Sequence, residues 1–569
     1  MRRLLLFVLL GLAAAPVPAQ KRVPPKRSSQ IESGFGINAD LPRDPYLPWN
    51  RYWWTAMFDA GVSWIRIGQY ENTSDYTSWD WIEQKRGVLA IPEGLDDYVD
   101  SLVDNGVRVQ VQLLYGNPMY TSPAGRLPDA IVPEPGGFHN PDRSLYSAYW
   151  PPKTPEQVAA FVRYVQFMVG HFRGRIRYYA LWNEQDIDYW NPQPNPEDYG
   201  RLLKAFIPAV HGADPEAKVI YGGQADPTRD FARRALDACQ CASGIDVFAY
   251  HTYPGYGRNL NPEAMDSGAY GKESPAKLRA LVRGYPGIRK DIPFWDDEFN
   301  SIPSWTGSDE SVQAKYVPRG LVYNWARGVR TFVWLLTAGT DGNEYDDFGM
   351  IHGLRYLADD FTPRPVYYAL QNTNALFADT RLDPEIKVSW PAAPKTFLAY
   401  GFRGKSGKAI VAYWLGVHSE PGGKFAPLHA DLTIANAGIR HPALIDVVSG
   451  TIEPLPGLAD VPVRDSVMAI ADESYFDWPV LPEAPSSLHA TAAGDEVRLS
   501  WQMHGGDPAQ AIVERRDGDS GRWTRVATQV AAQAEYTDRG APAGLVCYRV
   551  RAANAHGASA YSNVVRIRR

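Results

Sequence analysis

A (β/α)8, or TIM, barrel followed by two β-sandwiches is the architecture that the 569-residue sequence predicts. Three observations predict it. Eight short β-branched or aromatic runs recur through the first two-thirds of the chain, with helical patterns between them. From residue 379 the pattern changes to short alternating runs divided by Gly- and Pro-rich turns. A Pro-rich stretch, WPVLPEAPSS (478–487), then sets off a last segment of the same alternating kind.

The elements follow in order. Met1-Arg2-Arg3, an apolar run from Leu4 to Ala15 and the small residues Val17-Pro18-Ala19 read as a cleaved signal peptide over 1–19, too short to span a bilayer. No Cys follows that run, so a lipid anchor is not expected, and the mature chain is expected to be secreted or periplasmic. A basic, Pro-containing linker fills 20–30, and the catalytic barrel is expected over 31–378. Its strands are SGFGINA (33–39), VSWIRIG (62–68), VRVQVQLLYG (107–116), IRYYALWNE (176–184), KVIYGGQ (218–224), IDVFAYHTY (245–253), IPFWDDEFN (292–300) and VRTFVWLLTA (329–338). The clearest helix places Val158, Phe161, Val162, Val165, Met168, Val169 and Phe172 on one face. Thr154 caps it, Pro155 opens it and Gln157 completes a capping box. Asn195-Pro196 and Ser274-Pro275 open two more helices the same way, and TPRPVYYALQNTNALFA (362–378) is the last. An open doubly wound sheet is the alternative, but it would bring a Gly-rich phosphate turn after the first strand, and none is present.

The first β-sandwich is expected over 379–480, carried by KTFLAYGF, KAIVAYWLG, ADLTIANAG and PALIDVVSG. The segment 481–569 resembles a fibronectin type III domain through Trp501 and YRVRAANAHGASAYSN. It departs from that family at Val546, where a tyrosine is usual. The resemblance implies a spacer, or a module for protein or cell-surface contact.

Composition excludes several classes. With 45% hydrophobic and 21% charged residues the chain is globular rather than disordered or fibrous. A net charge of -6 offers no bulk attraction to nucleic acid or anionic membrane, and no later segment is apolar enough to cross one. The 18 Trp and 32 Tyr suit sugar-stacking surfaces as well as a large core. Cys239, Cys241 and Cys547 give neither a disulfide framework nor a zinc spacing, because a Cys-x-Cys bridge closes a very small ring.

Function in such a barrel sits at the C-terminal ends of the strands. Those ends carry Arg66 on strand two, Asn183 and Glu184 on strand four, and His251 and Tyr253 on strand six. Strand seven ends in Asp296, Asp297, Glu298 and Asn300, and strand eight offers Trp334. Two glutamates facing each other across a barrel mouth fit glycoside hydrolysis with retention, which needs carboxyls about 5–5.5 Å apart. Each residue also has a structural reading. Glu184 could open a helix, Glu298 and Arg66 could form ion pairs, His251 and Trp334 could be core, and Asn183 could serve a turn.

LWNEQ after strand four and FWDDEFN on strand seven resemble the retaining glycoside hydrolases of clan A, nearest to family 39 and its neighbours, which include β-xylosidases and exopolysaccharide-cleaving endoglycosidases. The resemblance covers 31–378. It implies Glu184 as acid/base, Glu298 as nucleophile, Asn183 on the sugar 2-hydroxyl, Arg66 beside the nucleophile and His251 or Tyr253 as the strand-six partner. It implies no metal and no organic cofactor, and an oligo- or polysaccharide substrate. One position departs: the residue before the nucleophile is often small or hydroxylic, and here it is Asp297. Strict alternation would put Asp296 on the face of Glu298, making Asp296 the rival nucleophile and Asp297 the lesser one. Three crowded carboxyls would raise one another's pKa unless an Arg or hydrogen bonds intervene.

The long segment 117–153 could wall a sugar cleft with Tyr120, Tyr149 or Trp150, and Trp79, Trp81, Trp190, Tyr256 and Trp305 could add platforms. DGNEYDDFG (341–349) is acidic but lacks a calcium-loop spacing, and reads as a solvated loop. The expected function is thus a secreted retaining glycoside hydrolase cleaving O-glycosidic bonds. The alternatives are a carbohydrate-binding protein on an inactive barrel, or a transglycosylase using the same two glutamates.

Overall fold

The computed structural model describes residues 20–38, 53–68, 77–124, 127–131, 147–254, 260–267, 273–303, 309–336, 348–351, 363–519 and 521–569. The expected signal peptide, Tyr256, Trp305 and most of 341–349 lie outside these residues. Eight parallel strands close a barrel in sequence order: β1 (Gly36–Asn38), β2 (Trp64–Ile67), β3 (Arg108–Leu113), β4 (Tyr178–Leu181), β5 (Lys218–Gln224), β6 (Val247–Thr252), β7 (Phe294–Phe299) and β8 (Val329–Trp334). A helix follows each: α1 (Trp53–Asp59), α2 (Leu95–Asp104), α3 (Pro155–His171), α4 (Pro196–Ala213), α5 (Arg229–Cys239), α6 (Pro275–Gly284), α7 (Glu310–Trp325) and α8 (Pro365–Phe377). All eight expected strands and the last expected helix are present.

The helix starts show why the sequence signals work. Thr154 Oγ1 accepts the amide of Gln157, and the Gln157 side chain accepts the amide of Thr154. Asn195 and Ser274 cap α4 and α6, each followed by proline at the first helical position. These bonds satisfy amides that a helix start leaves without intrahelical partners.

Alternation divides the barrel into layers. Trp64, Ala180, Ile220, Val247, Ala249, Trp295 and Phe332 point inward and plug the N-terminal half. Their neighbours Ile65, Tyr179, Val219, Phe248 and Phe294 point outward, into the core shared with the helices. The inward layer above the plug, at the C-terminal end of the strands, is polar.

Two features differ from expectation. Cys239 and Cys241 are joined as a disulfide with a Cα–Cα distance of 5.1 Å, inside the usual range. Gln240 between them takes a left-handed conformation (φ 51°, ψ 30°) as α5 ends, and this turns Cys241 back toward Cys239. Residues 20–30, expected as a linker, are fixed in place. Val23 donates its amide to Gly450, and the buried Arg27 ion-pairs with Asp59 at 3.4 Å and Glu483 at 3.8 Å.

The C-terminal third is antiparallel. A six-stranded sheet runs, in spatial order, Ile452–Pro454, Pro442–Asp446, Met468–Asp472, Ala409–Leu415, Phe397–Gly404 and Thr380–Leu382. A last pair of sheets follows. One holds Ser486–Ala493, Glu496–Gln502 and Glu535–Asp538; the other is built on Gln510–Asp517 and Leu545–Asn554. Among the described residues no helix is long and apolar enough to cross a membrane.

Candidate active site

The polar upper layer is assembled strand by strand. On β2, Trp64 belongs to the plug and Arg66, two residues on, reaches the site. On β3 the same parity presents Gln110 and Gln112. On β4 the pattern changes: Trp182 and Glu184 both have positive φ, 65° and 50°. Such φ values cost a non-glycine residue energy, and the surrounding structure must hold them in place. The Glu184 amide donates to the Gly223 carbonyl at 2.9 Å, which is one such restraint. The next helix, α4, does not begin until Pro196, so Glu184 is not a helix-starting carboxylate.

Strand β7 explains the departure at Asp297. In the register with β6, Tyr250 pairs Asp296 and His251 pairs Glu298, so Asp297 is an extra residue. The register with β8 shifts across the same stretch. This is a β-bulge, and it defeats simple alternation. Asp296 faces outward, accepting hydrogen bonds from Thr252 Oγ1 and, at 3.0 Å, from Asn324 Nδ2 on α7. Asp297 and Glu298 both face inward. The expectation that Asp296 shares the face of Glu298 is therefore corrected: the inward rival is Asp297.

Glu298 Oε1 lies 2.6 Å from Arg66 Nη1, and its Oε2 accepts the Tyr253 hydroxyl at 2.7 Å. Glu184 Oε1 is 2.9 Å from His251 Nδ1, and the same nitrogen is 3.5 Å from Glu298 Oε2. One oxygen from each glutamate and a ring nitrogen of His251 all lie within 4.8 Å of one another. Asp297 is fully buried, with Arg66 Nε at 3.2 Å, His251 Nε2 at 3.4 Å and Gln110 Nε2 at 2.8 Å. Asn183 Oδ1 accepts from Arg66 Nη2 at 2.6 Å and Gln112 Nε2 at 3.1 Å. Asn38 on β1 joins by accepting from Arg66 and donating to the Asp297 carbonyl. Trp334 is level with Asn38 on the neighbouring strand and packs with Ile302, Leu335, Phe348 and Tyr253 at the rim.

The structure thus brings Arg66, Asn183, Glu184, His251, Tyr253 and Glu298 into one constellation, with Trp334 beside it. It adds Asn38, Gln110 and Gln112, which sequence reasoning left out, and Asp297, which it ranked below Asp296. A signal existed for the glutamines: polar residues at alternate positions of a strand otherwise reading as buried. Gly223 was missed too. It sits at a second register shift, on β5 between Tyr221 and Gln224. A Cβ there would overlap His251 Nε2 and stand 2.7 Å from Asp297 Oδ1. Three expected sugar platforms are core instead: Trp79, Tyr149 and Trp190 are fully buried.

Electrostatics separate the groups. Burial raises the pKa of Glu184, and the nearby Glu298 charge adds to this against the opposing His251 bond. Burial would lower His251, but Glu298, Asp297 and Glu184 together push it up to about 10. Burial would raise Asp297, but Arg66 and His251 hold it below the usual carboxylate range. The arrangement thus places a carboxylate held by Arg66 opposite a carboxyl that burial biases toward its protonated form, with His251 between them. Glu184, His251 and Glu298 could converge on a metal ion, but the Arg66 guanidinium already supplies the positive charge at Glu298.

No protein-family model matches the sequence, and no curated protein matches it. Solved structures do. A family 39 glycoside hydrolase from the gut symbiont Bacteroides cellulosilyticus WH2 aligns with a TM-score of 0.58 at 18% identity, over 79% of this chain and 83% of that one. A monomeric β-xylosidase from Caulobacter crescentus CB15 aligns with a TM-score of 0.49 at 14% identity, over 79% of this chain and 97% of that one. The first of these likenesses shows a shared fold, a barrel with antiparallel sheets after it.

Proposed function

We propose that the protein is a retaining glycoside hydrolase acting on O-glycosidic bonds of an oligo- or polysaccharide. The observation that carries the reading is the approach of the Glu184 and Glu298 carboxyls to within 4.8 Å, oxygen to oxygen, at the C-terminal mouth of the barrel. That spacing suits a nucleophile and acid pair, and leaves no room for the water that an inverting pair holds between them. Glu298, oriented by Arg66 and the Tyr253 hydroxyl, attacks the anomeric carbon. Glu184, whose burial favours the protonated form, gives its proton to the leaving oxygen and then acts as base toward water. Arg66 and Gln112 occupy the Asn183 carbonyl oxygen, so its amide NH2 is the group left to meet the sugar 2-hydroxyl.

The N-terminal signal supports export to a periplasm or the exterior. The two-sheet arrangement over 481–569 supports a fibronectin type III-like module. In place of the usual tyrosine at position 546, the Tyr548 hydroxyl donates to Asp538 at 2.9 Å. The test is hydrolysis of a panel of aryl glycosides and polysaccharides by the purified protein. Glu184→Gln is expected to lower turnover by about 10²–10⁴-fold, and Glu298→Gln by about 10³-fold or more. Azide is expected to rescue a Glu298→Ala variant in part, giving a glycosyl azide of inverted configuration. Rescue of Asp297→Ala instead would move the nucleophile to Asp297.

A further inference from the structure

Asp297 is absent from the reaction just described, yet it is as fully enclosed as Arg66 and His251 and more so than either glutamate. It points inward two residues after Trp295 of the plug, the β7 bulge brings Glu298 onto the same face, and Gly223 on β5 leaves the space it occupies with His251. It touches the far side of both cations: Arg66 through Nε at 3.2 Å and His251 through Nε2 at 3.4 Å. The near sides of the same cations face the two glutamates.

We propose that Asp297 is a positioning residue whose fixed negative charge keeps Glu184 in its protonated, acid form. The proposal rests on the glycosidase reading above. Its physical basis is charge balance in a buried cluster. The titratable and charged groups facing the cluster are Arg66 from β2, Glu184 from the loop after β4, His251 from β6, Tyr253 just after it, and Asp297 and Glu298 from β7. Asn38, Gln110 and Gln112 are neutral, and Asp296 lies behind the sheet against Thr252 and Asn324. Tyr253 keeps its proton, because burial and the Glu298 charge raise it well above its ordinary value. Two cations therefore face three carboxyls, and two anions balance them. Asp297 accepts from Gln110 and lies in ion-pair range of Arg66 and His251, and Glu298 pairs with Arg66 and accepts from Tyr253. Glu184, the most exposed of the three with 13% of its side chain accessible, has His251 Nδ1 as its cationic neighbour. The remaining proton thus resides on Glu184. Without the Asp297 charge only two carboxyls face the two cations, so Glu184 ionises and the acid is lost before substrate arrives.

The test uses Asp297→Asn, nearly isosteric, and Asp297→Thr, which removes the charge with a different shape, both checked for folding by near-UV circular dichroism. In each variant the basic limb of the kcat/KM profile is expected to move down by about one pH unit or more. Substrates with poor leaving groups, which need the proton, are expected to slow by about 10²-fold, and dinitrophenyl glycosides, which do not, by less than about fivefold. A second readout needs no activity: infrared difference spectra against Glu184→Gln at neutral pH. The protonated-carboxyl band of Glu184 is expected in the wild type and its carboxylate band in Asp297→Asn. Asp186, two residues away, is separated by repeating the spectra in an Asp186→Asn background. An unmoved basic limb, equal slowing of all leaving groups, or a variant in which His251 loses its proton while Glu184 keeps its own overturns the proposal. A wild type inert toward every glycoside overturns the glycosidase reading instead, and leaves the infrared result to decide the charge balance.

Discussion

Asp186 lies two residues beyond Glu184 and has a different task. Its carboxylate accepts the amides of Ala225 at 2.8 Å and Asp226 at 3.1 Å, pinning the loop after β4 to the loop after β5. That clamp helps hold Glu184 at its unfavourable φ. Burial pushes the Asp186 pKa up to about 7, against those two amide bonds. Between the ordinary carboxylate range and pH 7, the folded chain therefore holds a proton that the unfolded chain has released. Stability attributable to this group is present below about pH 4 and is lost as pH rises toward 7, with a slope of at most about 1.4 kcal/mol per pH unit. Denaturant titrations at stepped pH are expected to show a shallower loss of stability over that window in Asp186→Asn than in the wild type. Parallel curves for the two proteins would mean that Asp186 is ionised in the folded state throughout.

At the scale of the element, much of the barrel is legible because its signals are local. A β-branched run, a Thr-Pro-x-Gln start or an Asn-Pro step each acts on neighbouring residues, and β1 to β8, α3, α4 and α6 appear where those signals place them. The register shifts on β5 and β7 are not legible. A bulge changes no residue type and depends on how neighbouring strands pair, so alternation counted back from Glu298 assigns Asp296 and Asp297 to the wrong faces. The Cys239–Cys241 bridge was missed for a related reason: it depends on Gln240 adopting a left-handed turn, which the spacing alone does not reveal. Gly223 joins the two bulges, since its missing side chain is the space that His251 and Asp297 fill. Gly223→Ala is accordingly expected to reduce kcat by about 10²-fold, since misplacing catalytic groups by about 1 Å costs that much. The melting temperature should fall by several degrees as the two strands part. Kinetics and calorimetry on the same preparation check this, and wild-type kcat in the variant would show that β5 yields without disturbing His251.

The whole molecule is joined by two kinds of seam. The barrel and the six-stranded sheet share one hydrophobic cluster, reinforced by buried ion pairs. Lys315 on α7 meets Asp465 at 2.8 Å across the seam, and Glu263, held by the fully buried Arg319 at 2.6 Å within the barrel, accepts from Trp414 Nε1 of the sheet at 2.6 Å. The last sandwich has its own core around Trp501, Val513 and Tyr548. It docks on α2 chiefly through polar contacts: Arg516 to Asp97 at 2.7 Å, Arg549 to Asp104 at 2.5 Å and the Tyr561 amide to Asn105 at 2.8 Å. This docking is not legible in either segment, because ion pairs between residues more than 400 positions apart leave no local pattern. A shared core unfolds as one unit, whereas a separate core tied by polar contacts can unfold alone. Calorimetry is therefore expected to resolve two transitions, the smaller belonging to residues 481–569. Glu263→Gln strands the Arg319 charge in the interior and should destabilise the larger transition by about 3–5 kcal/mol. Asp97→Asn strands Arg516, 4% exposed, and should lower the smaller transition while leaving kcat unchanged, since α2 bears none of the site residues. If either substitution shifts both transitions together, the last sandwich is an integral part of the barrel's cooperative unit, and its separate core does not act as a separate domain.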